Sequence, residues 1–338
     1  MNPTTNRVYI ANSHRVTVVD GATQGVIATV PLADEPTGVI QGVGVNAATD
    51  RIYVSIGGRF VSVIDGATQA LVATVPVECA GGLAVNPVSN RVYISNYCSN
   101  AVSVVDGATD TEIVSVRVGA YPLAMEVNLT TNQIYVANRH DGTVSVIDGL
   151  TNTVSATVDA GAQPAGLAVN ATTNRVYVTH YPDYAYLSVI DGATNTAGTV
   201  PLSSPVIGIS VSPVTGRIYL ASYLSDSVFV LDGATHALMA TIPVAAGSLP
   251  WAIAVNPVTD LVYVTQMWDQ RNVFGTVSVI ADPQASSTDA PNDVISQGNA
   301  TDNAAGGEKS LNSKLSVTPT ASLISIDATT LSATAFSL

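Results

Sequence analysis

Residues 86–118 read NPVSNRVYISNYCSNAVSVVDGATDTEIVSVRV, and this stretch decides the fold. It opens on an Asn-Pro turn, enters a short strand around Tyr93 and crosses a loop to a second strand at 102–105. It then turns at Asp106-Gly107 and leaves on a third strand. Residues 83–86 supply a further strand just before it. Val, Ile and Tyr alternate with small polar residues, the period-two pattern of a half-buried strand. Asp-Gly between two such runs signals a hairpin, with the glycine read as the residue that accepts positive φ. The unit is a four-stranded antiparallel meander.

The unit recurs. Tyrosines stand at Tyr9, Tyr53, Tyr93, Tyr135, Tyr177, Tyr219 and Tyr263, spaced by 40 to 44 residues. An Asp-Gly turn follows each of the first six, at Asp20, Asp65, Asp106, Asp148, Asp191 and Asp232, while Ala281 takes the aspartate's place in the seventh. Four strands per repeat at this period is the signature of a β-propeller. The expected fold is therefore all-β, a seven-bladed propeller of four-stranded antiparallel blades.

The strand around each tyrosine, as in Tyr135-Val136-Ala137-Asn138, Tyr177-Val178-Thr179-His180 and Tyr263-Val264-Thr265-Gln266, resembles the signature of YVTN-type propeller repeats. The resemblance covers roughly residues 2–282. It implies kinship with archaeal and bacterial cell-surface proteins, and more distantly with virginiamycin B lyase-like and lactonase-like propellers. No local motif carries either group's catalytic residues onto this chain.

The domain reading is a propeller over 1–282, a linker over 283–313 rich in Ala, Ser, Asn, Asp and Gly, and one or more strands within 314–338. Met1 falls inside a turn between the innermost strand, A, and the next, B, so the first blade has no strand A of its own. The seventh blade shows no obvious outermost strand, D. Residues 323–330, LISIDATT, resemble 167–173, LAVNATT, and are expected either to supply the missing strand A or to begin a truncated further domain. No secretory signal precedes Met1, and a start within half a blade reads as a trimmed or mis-started chain.

Composition narrows the function. The 338 residues carry a net charge of −13, with 47% hydrophobic and 11% charged residues, and the only lysines are Lys309 and Lys314. Nucleic acid is excluded, because phosphate contacts need clustered cations. Membrane insertion by a helix is excluded too, since no apolar run approaches about 18 residues.

In a propeller the B–C and D–A loops share one face. Every tyrosine outside the repeat column, together with both tryptophans, falls in those loops or at their edges. The candidate ligand-binding residues are Tyr97, Tyr121, Tyr181, Tyr184, Tyr223, Trp251, Trp268 and Arg139. Rings with one polar tip provide contact area at low entropic cost, which suits a glycan or protein ligand bound by a monomer. Asp34 and Glu35 form a weaker, solvated pair.

Three groups would serve an enzyme instead: Glu126, His140 and His180. Glu126 stands in strand A where other repeats have Gly, Ala or Ser, and a carboxylate there needs hydration or a partner such as Arg139 or His140. His180 occupies a column, with Asn12, Asn96 and Asn138, expected to ring the channel mouth. His14 joins His140 in a second column. A lyase or lactone hydrolase could use these groups, with a divalent cation assembled across blades; no cofactor and no metal ligand set is otherwise indicated. A structural or adhesive repeat of a surface protein is the third reading. Neither a nucleophile elbow, a phosphate loop, His-Glu-x-x-His nor Cys-x-x-Cys occurs.

Only two cysteines exist, Cys79 and Cys98. The repeat register places them in neighbouring D–A and B–C loops of the third blade. A disulfide is expected, and with it an oxidising, extracytoplasmic compartment.

Overall fold

A computed structural model of the chain describes residues 1–12, 15–32, 40–56, 58–267, 276–281 and 323–326. Its strands form seven antiparallel sheets in consecutive order, one of three strands and six of four. The third blade, for example, runs A (Ala80–Asn86), B (Arg91–Asn96), C (Ala101–Asp106) and D (Thr111–Arg117). The three-stranded sheet is the first, Arg7–Asn12, Arg15–Asp20 and Val26–Pro31. Leu323–Ile326 does not join it. That segment pairs antiparallel with Val277–Ala281 and so takes the outermost, D, position of the seventh blade.

Packing explains a departure from the half-buried pattern. Strands B and C are buried along both faces, as in Arg51–Ile56 and Phe60–Asp65, because each blade is sandwiched between two others. The alternating serines Ser62, Ser103, Ser145 and Ser188 are therefore buried as well. Strand D alone is mostly exposed, as in Thr111–Arg117. Hydrophobic clusters span blade boundaries: Tyr93 and Val104 pack with Met125, Val127 and Ile134 of the next blade.

One face carries a belt of polar contacts between blades. The last residue of a strand A donates its side-chain amide to the end of the next blade's A–B turn. Examples are Asn46 Nδ2 to Asn90 Oδ1 at 2.7 Å, Asn86 to Asn132 at 2.8 Å and Asn128 to Asn174 at 2.7 Å. The ring closes when Asn256 Nδ2 donates to Asn6 Oδ1 at 2.7 Å and Tyr263 OH to Gln24 Oε1 at 2.6 Å. The repeat arginines serve the same belt. Arg51 pairs with Asp110 of the next blade at 2.6 Å, and Arg91 Nη1 donates to Gly149 O at 2.7 Å.

This belt also revises the role of the Asp-Gly glycine. In the first turn the left-handed residue is Gln24 (φ 60), and its equivalents Gln69, Asn152 and Asn195 behave alike. Asp20 Oδ1 organises the turn by accepting from the N–H groups of Ala22 and Thr23 at 2.9 and 2.8 Å. Gly21 is needed for close approach: a Cβ there would lie 2.7 Å from Asn6 O.

The asparagine and aspartate acceptors in the belt sit at positive φ, among them Asn6, Asp50, Asn90, Asn132, Asn174 and Asp260. Gly216 (φ 70) occupies the same place without a side chain, and its Cβ position lies 3.9 Å from Asn170 Nδ2. Asparagine tolerates this conformation. Gly216→Asn should complete the belt and raise stability by about 0.5–1 kcal/mol. The check is a higher urea midpoint at unchanged slope; a lower midpoint would contradict the belt's role.

Candidate functional site

The opposite face, formed by the B–C and D–A loops, is built from two repeat columns. Four of the D–A loops end on a left-handed residue just before strand A: Cys79, Tyr121, Gln163 and Leu249, with φ of 50, 57, 48 and 49. The carbonyl of each accepts from the residue four past the repeat tyrosine, so Tyr97 N meets Cys79 O (3.3 Å), Arg139 N meets Tyr121 O (3.0 Å) and Tyr181 N meets Gln163 O (3.2 Å). Positive φ is unfavourable for a residue as bulky as tyrosine, and such outliers cluster at functional sites. Tyr121 is held there by a further bond, its N–H donating to Asn100 Oδ1 at 3.0 Å.

These columns place rings side by side. Tyr97 lies 5.3 Å from Tyr121, which stacks on His140 at 4.3 Å with planes 19° apart. Beside His140, the guanidinium of Arg139 sits 5.5 Å above the Tyr181 ring while its Nε donates to Gln163 Oε1 at 3.1 Å. Tyr181 meets Trp251 and Tyr223 at 5.5 and 5.6 Å. Tyr223 OH donates to Pro182 O, and burial pushes its pKa up to about 12, so it stays protonated. The result is a nearly continuous, half-exposed aromatic arc from the third blade to the seventh. Trp268, His14, Asp34 and Glu35 lie outside the described residues.

The histidine column does not ring the channel mouth. His180 is fully buried, its Nδ1 2.7 Å from Ala162 O and its Nε2 2.9 Å from Ser188 Oγ. Burial lowers its pKa, against the Ala162 carbonyl, which raises it. Asn138 likewise donates to Thr143 and Ser145 inside its blade, and Gln266 to Ser278. Sequence reasoning missed this because the partner serine lies in strand C. Where that serine is replaced by Phe229, the column residue is the small Ser222, so volume is conserved across the pair. His140 is exposed against Tyr121.

Glu126 lies on the innermost strand of the fourth blade and is exposed, whereas its equivalents Ala84 and Ala168 are buried. Arg139 and His140 are engaged with rings of the outer face and do not pair with it. Confinement by the surrounding strands pushes its carboxyl up to about 7, opposed by the Val127 N–H and the Met1 amino group. The side chain nonetheless retains accessible surface, so solvent screening moderates the energetic effect. The unfolded chain ionises near 4.5 while the folded chain holds its proton longer, so stability falls as pH rises from 4.5 towards 7 and then levels. Glu126→Gln should therefore be neutral at pH 4 and stabilising by about 1 kcal/mol at pH 8, discounted from roughly 3 kcal/mol for a fully buried shift of this size. Thermal melts at both pH values check the difference, and an equal effect at each would refute it.

Cys79 and Cys98 form the expected disulfide, with Cα atoms 5.7 Å apart, next to Tyr97 at one end of the arc. Among the described residues, no group of three His, Cys, Asp or Glu gathers to hold a metal. No described helix is long and apolar enough to cross a membrane.

No family model and no curated protein matches the chain. Among solved structures it is similar to hydrazine synthase from Kuenenia stuttgartiensis, with 18% identity over 83% of this chain and 94% of that one, at a TM-score of 0.72. It is similar also to a chain of the mitotic checkpoint complex, with 16% identity over 77% and 83% of the two chains, at 0.69. At these identities the likeness is one of fold. The chain is a seven-bladed β-propeller, closed without a covalent link by the Asn256–Asn6 and Tyr263–Gln24 contacts.

Proposed function

We propose that this propeller is a binding module outside the cytoplasm, recognising a glycan or protein ligand through its aromatic arc. The observation that carries the reading is the asymmetry between faces. On the side of the A–B and C–D turns the polar side chains are engaged in the belt and the large exposed ones are aliphatic, such as Val88, Leu150 and Val214, whereas the other face holds Tyr97, Tyr121, Arg139, Tyr181, Tyr223 and Trp251 half-exposed on a rigid frame. Aromatic and Arg anchors of that kind dominate binding surfaces. The disulfide fits an oxidising compartment, in keeping with the cell-surface members of the YVTN-type propellers that the repeats resemble. The lyase or hydrolase reading asks Glu126, His140 and His180 to converge on one reacting atom; both ring nitrogens of His180 are already engaged, and no observation favours it.

Screening the wild-type protein against a glycan array and a displayed peptide library should yield ligands. Combined Tyr181→Ala, Tyr223→Ala and Trp251→Ala should abolish that binding while leaving the far-ultraviolet spectrum and the melt nearly unchanged. Undiminished binding by the triple variant would sink the proposal.

A further inference from the structure

The arc borders an open groove between the fourth and fifth blades, of 470 Å³, lined by Arg139, His140, Asp141, Asp159, Gln163 and Tyr184. That volume lies within the range of about 300–1,000 Å³ typical of small-ligand sites. We propose that this groove is the specificity subsite of the aromatic face and takes a pyranose unit of a neutral oligosaccharide; the inference rests on the binding reading above.

The walls are held in place before any ligand arrives. His140 N donates to Ala120 O at 3.2 Å and Ala160 N to Gly142 O at 2.9 Å, tying the two loops together. Tyr186 OH accepts from Ala162 N at 3.0 Å, fixing the loop that carries Ala162 and Gln163. Asp141 Oδ2 accepts from Ala120 N at 2.6 Å and Asp159 Oδ1 from Gly161 N at 3.0 Å. Each carboxylate is thus oriented through one oxygen and keeps the other as an acceptor in a residue that lines the groove. Gln163 fixes the Arg139 Nε, leaving the terminal guanidinium nitrogens as donors.

Two flat rings complete the site. His140 stacks one face on Tyr121 and turns the other outward. Tyr184, half-buried at the groove, lies at 75° and 73° to the rings of His180 and Tyr186. Ring faces are electron-rich and attract the C–H face of a sugar, while the paired acceptors receive its equatorial hydroxyl donors. A peptide would need an apolar pocket for an anchor side chain, and the only aliphatic side chain lining the groove is Ala162. Two carboxylates against one arginine, in a chain of net charge −13, repel uronic or sulfated sugars.

The test is calorimetric titration of the full chain with neutral hexasaccharides of glucose, mannose and N-acetylglucosamine, with heparin as the anionic control. At least one neutral hexasaccharide should bind saturably and heparin should not. Tyr184→Ala and Asp159→Asn should each weaken binding tenfold or more; the asparagine keeps an acceptor for Gly161 N, so the loop is preserved. Absence of binding by all three neutral probes, or binding that both variants leave unchanged, overturns the proposal. If only peptides from the displayed library bind, and the Tyr181, Tyr223 and Trp251 substitutions abolish that binding, the sugar assignment falls while the aromatic-face reading stands.

Discussion

Gly82→Val is expected to destabilise the propeller by about 3 kcal/mol, the upper end of what overpacking usually costs. A Cβ on Gly82 would lie 2.4 Å from Leu123 O and 3.3 Å from Ala124 Cα, backbone atoms of the neighbouring blade's innermost strand. Gly166 and Gly208 repeat the situation, with Ile207 O at 2.5 Å and Trp251 O at 2.3 Å. No flexible side chain can move aside, so two innermost strands must separate, and overpacking of this kind is among the few routes to large losses. Gly198, on an outermost strand, is the control: nothing lies within 4 Å of its Cβ position. Valine there should be neutral or slightly stabilising, since it also restricts the unfolded chain and suits a strand. Urea midpoints for the two variants decide the matter, and a Gly82→Val protein within 1 kcal/mol of wild type would mean the inner ring is looser than these contacts require.

The same glycine column shows where sequence reading stops. Tyrosine period and Asp-Gly turns suffice to count the blades, because each is a local pattern repeated at one spacing. Gly44, Ala84, Ala168, Ser210 and Ala254 form a small column as expected, but Glu126 stands in the same column and reaches solvent, and a Cβ on Gly44 would meet only the side-chain tip of Leu83, at 2.2 Å, and Val85. The second small column, two residues earlier at Gly82, Gly166 and Gly208, stands in the sequence as plainly, but its packing role does not. It depends on how closely neighbouring blades approach, which no single repeat encodes. The buried polar pairs failed for a related reason: His180 and Ser188 lie eight residues apart on different strands, and only the register joins them.

Loop assignment by repeat position put the aromatic residues on one face, yet it could not say which rings touch. Tyr121, Arg139 and Tyr181 come from three loops, and their contacts arise from the left-handed D–A residues that aim them. Asp141, Asp159 and Gln163 were not singled out at all. A signal exists for one of them: Gln163 sits at the loop position equivalent to Tyr121 and Cys79, so that column invites comparison blade by blade for polar as well as aromatic residues, whereas Asp141 and Asp159 fall outside both columns.

Removing the disulfide should lower stability by about 3 kcal/mol and disturb one end of the arc. Cys79 and Cys98 close a loop across 19 positions, and in the chain-entropy model a loop of that size restricts the unfolded state by roughly this amount. The bridge joins the two columns that build the face, since Cys79 is the left-handed D–A residue whose carbonyl accepts from Tyr97 N. Cutting it loosens the junction of the two loops beside Tyr97 and Tyr121, while the strands of the third blade, held by their own ladders, stay paired. The Cys79→Ala, Cys98→Ala double variant should therefore unfold at a lower urea midpoint, with native strand content retained below it. Adding reductant should shift the wild-type midpoint to match the variant and leave the variant unmoved. A wild-type midpoint insensitive to reductant would mean the thiols are not bridged in the folded protein, and the case for an oxidising compartment would go with it.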